Sequence, residues 1–195
     1  MQIQTEKHTY TTAEYLELEE TAEYKSEYRD GEIVPMTGGS ANHNRIAVNL
    51  CRKLPFSIKD RHYEIFVNDM RVSIPRYRRY VYPDTIVIEG AALYEDKAAT
   101  IITNPLLIIE VLSKSTKNYD QGDKFDYYRS LPSFKEYILI DQYQYYVEQF
   151  VKQVDGRWVL TEYESVTDIL SLSSLDFQIN LSDIYNRINF ETSEA

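Results

Sequence analysis

Two carboxylates stand where a folded chain rarely leaves a charge: Asp84, within the apolar stretch from Val81 to Ile88, and Glu110, inside the aliphatic run from Leu106 to Leu112. An ionised carboxylate in a buried strand is costly unless it is paired, hydrogen-bonded or bound to a metal. On neighbouring strands the two would converge on one hard cation, because Mg²⁺ takes oxygen ligands, few protein carboxylates and retained waters. Without the ion the pair repels, one pKa rises, and binding releases a proton. Lys124, at the start of the helix that follows, sets an ammonium beside that cation. A carboxylate pair, a metal-polarised water and a lysine are the parts needed to hydrolyse a phosphodiester, since the metal lowers the pKa of the water and the cations offset transition-state charge.

These residues need a scaffold, and the hydrophobic pattern supplies one. Thr11 and Glu14 have capping-box spacing ahead of a short acidic helix through Glu20. Asp30-Gly31 is a hairpin turn between strands at Glu27 to Arg29 and Glu32 to Met36. Gly38-Gly39-Ser40 breaks the chain and caps a helix carrying Ile46, Ala47, Leu50 and Leu54, with Asn42, His43 and Arg45 near its first turn. Tyr63 to Ile74 reads as strand, bulge, strand with the phase shift at Asn68-Asp69. Tyr80 to Glu89 is a strand interrupted by Pro83-Asp84, Gly90 to Asn104 a loop, and Leu106 to Leu112 a strand buried on both faces. Ser113 to Asp123 is expected as a polar turn, Phe125 to Leu131 as a helix, and Glu136 to Asp141 as a further strand. Antiparallel strands at Tyr145 to Val151, Trp158 to Tyr163 and Leu170 to Phe177, then a short helix from Leu181 to Ile188, complete the pattern. The expected fold class is α/β: one domain over residues 10–188, a central mixed β-sheet flanked by helices with additional antiparallel strands, and tails at 1–9 and 189–195.

Composition narrows the partners. Asp and Glu number 31 against 21 Lys and Arg, a formal charge of −10, so a nucleic acid needs a local basic patch. One lies just before Asp84: Arg71, Arg76, Arg78 and Arg79 run without an intervening acid, with Tyr77 and Tyr80 interleaved to stack on bases. The single Cys51 excludes an intramolecular disulfide and a multi-thiolate zinc site. The polar first ten residues lack the apolar core of a signal peptide, and the most apolar run falls far short of the roughly 20 residues of a membrane span. A cytoplasmic location without membrane association is expected. No dinucleotide fingerprint, P-loop or G-x-S-x-G elbow occurs.

Several motifs resemble a known family. Tyr82-Pro83-Asp84, Ile109-Glu110-Val111-Leu112-Ser113-Lys114-Ser115-Thr116, Asp120, Gly122-Asp123-Lys124-Phe125 and Tyr128-Arg129 resemble the Uma2 family, as do the stretches Tyr24 to Ile33 and Gly39 to Asn44. That family is similar to the PD-(D/E)xK restriction-endonuclease-like superfamily, and the likeness implies its fold. It also implies a site in which Asp84 is the aspartate of the first half-motif and Glu110 the acid of the second. The lysine position of E-x-K holds Leu112, so the resemblance moves the lysine role to Lys124. It makes Glu32 the early extra acid, and His43 a residue that orients water or contacts phosphate. The expectation is a Mg²⁺- or Mn²⁺-dependent endonuclease acting on DNA, with Asp84 and Glu110 as metal ligands and a homodimer addressing two strands. The same residues admit a non-catalytic nucleic-acid or protein-binding module on the same scaffold. More distantly, they admit a partner protein that makes contact through its acidic first helix.

Overall fold

The computed structural model describes residues 8–190; residues 1–7 and 191–195, most of the two expected tails, lie outside that span. Helix α1 (Thr12–Thr21) starts on a complete capping box: Glu14 donates its N–H to Thr11 Oγ1, and Glu14 Oε2 accepts the Thr11 N–H at 2.7 Å. Strands β1 (Ser26–Arg29) and β2 (Glu32–Pro35) form a tight hairpin. Both of its central residues, Asp30 (φ 47°) and Gly31 (φ 98°), are left-handed, as a type I′ turn requires. Helix α2 (Ala41–Lys53) is capped by Ser40, whose hydroxyl accepts the His43 N–H at 3.1 Å.

The next strands divide between two sheets. β3 (Ser57–Ile58) and β4 (Arg61–Val67) belong to one, β5 (Arg71–Ile74) to the other. After a 3₁₀ turn, β6 (Arg79–Val81) stays in the small sheet while β7 (Thr85–Glu89) enters the large one. The expected bulge at Asn68-Asp69 is therefore a change of sheet, and so is the break at Pro83-Asp84. The two corners are tied together, with the Asn68 N–H donating to the Asp84 carbonyl at 2.9 Å and Asn68 itself left-handed at φ 64°.

Beyond β7 come β8 (Ile101–Ile102), inside the expected loop, and β9 (Leu107–Leu112). Helix α3 (Lys117–Tyr119), a π turn (Asp120–Lys124) and α4 (Phe125–Tyr128) form one continuous stretch. It occupies much of the segment expected as a polar turn. Strands β10 (Glu136–Asp141), β11 (Val147–Lys152) and β12 (Trp158–Tyr163), the hairpin of β13 (Ile169–Leu172) and β14 (Phe177–Asn180), and α5 (Leu181–Ile184) complete the chain. Phe190, expected in a tail, packs against Tyr145 and Tyr185.

The large sheet has the order β12-β11-β10-β9-β7-β4-β3, with β9 and β10 parallel and the remaining neighbours antiparallel. The small sheet runs β2-β1-β6-β5-β8. All six residues of β9 are buried, and they alternate between two cores. Leu107, Ile109 and Val111 pack with Ile46 and Leu50 of α2 and with Leu181 and Ile184 of α5. Ile108 and Leu112 pack with Tyr128, Leu131, Phe134 and the small sheet's Val72, Ile74 and Val81. Each buried aliphatic side chain of this kind contributes about 1.5–3 kcal/mol. Glu110 shares the face of Ile108 and Leu112, so strand parity alone turns its carboxylate toward the small sheet and the 117–128 stretch.

Candidate active site

The register of β7 and β9, Thr85 opposite Ile109, continues by one step to place Asp84 directly across from Glu110. The two acids are fixed differently. Asp84 lies at the change of sheet, with its side chain 19% exposed. Its Oδ2 accepts the Val111 N–H at 2.7 Å and faces His43 Nε2 at 3.1 Å. Glu110 is 2% exposed. Its Oε2 accepts the Asp84 N–H at 3.2 Å; its Oε1 accepts the Tyr128 hydroxyl at 2.9 Å and stands 2.8 Å from Lys124 Nζ.

Lys124 reaches Glu110 from the π turn. It also lies 3.3 Å from Asp120 Oδ1, on the same turn, and 3.8 Å from Glu27 Oε1 on β1. A π turn inserts one residue into helical spacing and is frequent at functional sites; here it buries Asp120 and Lys124 together at 3% and 5% exposure. The Tyr137 hydroxyl holds the Asp120 carbonyl at 3.0 Å. Arg29 donates to Glu27 Oε2 from Nε at 3.2 Å and from Nη2 at 2.8 Å.

Electrostatics follow from this crowding. Burial, helped by the negative charge of Asp120 and Asp84 and opposed by Lys124, pushes the Glu110 carboxyl up to about 8. Burial disfavours the Lys124 ammonium, but Glu110, Asp120 and Glu27 outweigh it and hold its pKa well above the ordinary lysine value. His43 is likewise penalised by burial and raised on balance by Asp84. Burial and the Glu110 charge raise Tyr128, so its hydroxyl keeps the proton that it donates.

Four of the residues singled out in the sequence meet here: Asp84, Glu110, Lys124 and His43. Glu32 does not join them. It is exposed on β2, opposite Arg29, at the turn end of the hairpin. The acid that the hairpin delivers to Lys124 is Glu27, two register pairs further from the turn. Arg71 is also corrected: it is 8% exposed and donates from Nη2 to Thr100 Oγ1 at 2.7 Å, because β5 faces the core rather than the surface. Arg76 and Arg78 are exposed, with Arg78 paired to Asp30 at 3.1 Å. Arg79 is half-buried with its guanidinium 4.1 Å from the centre of the Tyr127 ring, beside an equivalent Arg29–Tyr119 stack at 3.9 Å. Asp120 and Tyr128 were legible only as motif letters, and Glu27 only as a hairpin residue.

The donor set suits a hard cation. Two opposed carboxylates offer only oxygen, and Mg²⁺ is held by one or two carboxylates plus water and substrate phosphate rather than by an all-protein cage. Among the described residues no three His, Cys, Asp or Glu side chains form such a cage, and the ammonium of Lys124 lies amid the remaining acids.

Comparison with known proteins bears on the fold and the family. A crystal structure described as a "putative nuclease belonging to DUF820" from Anabaena variabilis ATCC 29413 superposes with a TM-score of 0.69 at 15% identity, covering 92% of this chain and 99% of that one. At that identity the likeness establishes the fold. The protein sll1609 of Synechocystis sp. is 51% identical over 152 residues, which is 78% of this chain and 86% of its own length. A second Synechocystis protein, slr1290, is 34% identical over 177 residues, 91% of this chain and 92% of its own. The family model Uma2, described as "Putative restriction endonuclease", matches residues 12–182. The family is one described as a "Putative restriction endonuclease", and the structural neighbour shares this chain's fold. The chain belongs to the Uma2 family.

Proposed function

We propose that the chain is a Mg²⁺- or Mn²⁺-dependent endonuclease that hydrolyses DNA phosphodiester bonds, with Asp84 and Glu110 as the metal ligands. The observation that carries this reading is the pairing of Asp84 and Glu110 across β7 and β9 with the Lys124 ammonium 2.8 Å from Glu110. A divalent ion supplies, when bound, Lewis acidity toward a phosphate and a lowered pKa for its water.

The chain's own groups supply the rest. The Val111 N–H and His43 fix the Asp84 carboxylate, and the Asp84 N–H and Tyr128 hydroxyl fix that of Glu110, so both are oriented before substrate arrives. Lys124 stays protonated and offers positive charge where the phosphate gains negative charge. Asp84 and His43 form the more open side of the cluster, the side from which a phosphodiester enters. Arg76 and Arg78 extend positive charge from the 3₁₀ turn that joins β5 to β6, and as exposed cations they engage phosphates rather than bases. A second copy of the chain would present a second site to the opposite strand.

The test is cleavage of supercoiled plasmid, linear duplex and single-stranded DNA by the purified chain with Mg²⁺, Mn²⁺ or EDTA, run beside Glu110→Gln. Metal-dependent cleavage that disappears in Glu110→Gln is the expected result. No cleavage with any metal, or equal cleavage by the variant, overturns it in favour of a binding module.

A further inference from the structure

The ammonium of Lys124 has three acidic neighbours at three distances: Glu110 at 2.8 Å, Asp120 at 3.3 Å and Glu27 at 3.8 Å. Only the first is a metal ligand in the reading above, on which this inference rests. A carboxylate that receives a divalent ion surrenders its hold on a neighbouring ammonium, and a buried ammonium without partners is costly. The chain keeps a second place for it. Asp120 and Glu27 are both buried, at 3% and 4% exposure. Both are tied down by groups that do not involve Glu110: Asp120 through its carbonyl to Tyr137, Glu27 through Arg29 and the Tyr82 N–H. A lysine has three donors on a flexible stem, so it can move toward one acid while remaining with the others.

We propose that Asp120 and Glu27 are positioning residues: a fixed acidic bracket that takes the Lys124 ammonium when Glu110 takes a divalent cation. The two acids then act on metal affinity through Lys124. In their absence the ammonium stays on Glu110 and competes with the ion. A purely structural bracket would influence folding and leave the ion's affinity alone, and an acid attracting the ion directly would do so whether or not residue 124 carried a charge.

A double-mutant cycle separates these cases. Mn²⁺ affinity is measured by electron paramagnetic resonance for the wild-type chain, Asp120→Asn, Lys124→Met and the double variant, each checked for folding by circular dichroism. Asp120→Asn is expected to weaken Mn²⁺ binding by roughly 5- to 150-fold, the usual range for coupled sites. The same substitution is expected to leave affinity unchanged once Lys124 is Met. Glu27→Gln and Lys124→Gln serve as second variants if either first choice fails to fold. An equal loss in both backgrounds, or no loss in the presence of Lys124, overturns the bracket. Mn²⁺ binding that ignores Glu110→Gln overturns the two-carboxylate site itself, and the bracket with it.

Discussion

The Tyr128 hydroxyl donates a 2.9 Å hydrogen bond to Oε1 of Glu110, the same oxygen that faces Lys124. One oxygen thus receives two donors from successive turns of a single stretch, and the carboxylate is locked from one side. With its pKa raised to about 8, Glu110 is mostly uncharged at neutral pH in the metal-free chain, and a hydrogen bond between neutral groups contributes about 0.5–1.5 kcal/mol. Tyr128→Phe is expected to lower stability by about that much in urea denaturation and to reduce cleavage by freeing the Glu110 side chain.

Glu110 makes the metal-free chain sensitive to pH. Its carboxyl is raised from an ordinary 4.5 to about 8, by burial first and by Asp120 and Asp84 next, against the opposing effect of Lys124. The folded state therefore holds this proton more tightly than the unfolded chain. Its stabilising contribution is complete below pH 4.5 and is lost as pH rises through 8. Urea midpoints of the metal-free chain should fall across that interval, and fall less for Glu110→Gln. Metal binding at neutral pH should release a proton, visible as a buffer-dependent enthalpy in titration calorimetry.

Lys124 is the counter-ion for several buried acids. Lys124→Met leaves them uncompensated, and removing one partner of a buried pair costs about 3–5 kcal/mol. Adding Glu110→Gln should recover part of that loss, a non-additivity that thermal or urea denaturation of the single and double variants will show. The single variant is expected to lose cleavage.

The arginines separate by burial. Arg76 and Arg78 are exposed, so their substitution by Ala should weaken duplex binding uniformly across sequences and reduce the salt slope by about one per residue. Arg71 is inside the small sheet beside Thr100. Arg71→Ala should lower stability and leave the salt slope unchanged, as fluorescence anisotropy over a salt series will read.

Much of the scaffold was legible because local chemistry and global fold agree. The Asp30-Gly31 turn, the Thr11 and Ser40 caps and the unbroken aliphatic β9 each carry a signal within a few residues. The site was harder to read. Glu27 and Glu32 lie on the same hairpin face, and nothing local says which end of the hairpin abuts Lys124; the pairing of β1 with β6 decides it. Asp120 was hidden because the π turn breaks the 3.6-residue period, and so a helix read as a loop. The changes of sheet at Asn68 and Asp84 read as a bulge and a break because alternation reports faces, not partners.

The acids and the ammonium are built on elements with unequal resistance to opening. Residues 85–89 and 107–112 share ladder hydrogen bonds with neighbouring strands. The 117–128 stretch meets those sheets through side chains such as Tyr137 to Asp120, Gln121 to Glu148 and the two Arg–Tyr stacks. Its amides are expected to exchange with solvent by a local opening that leaves the sheet intact, which native-state hydrogen exchange will show as lower protection over 117–128 than over 107–112. That sub-global free energy, rather than the stability of the whole chain, sets how often Asp84 and Glu110 stand without Lys124 and Tyr128, and hence the temperature at which the site comes apart ahead of the fold.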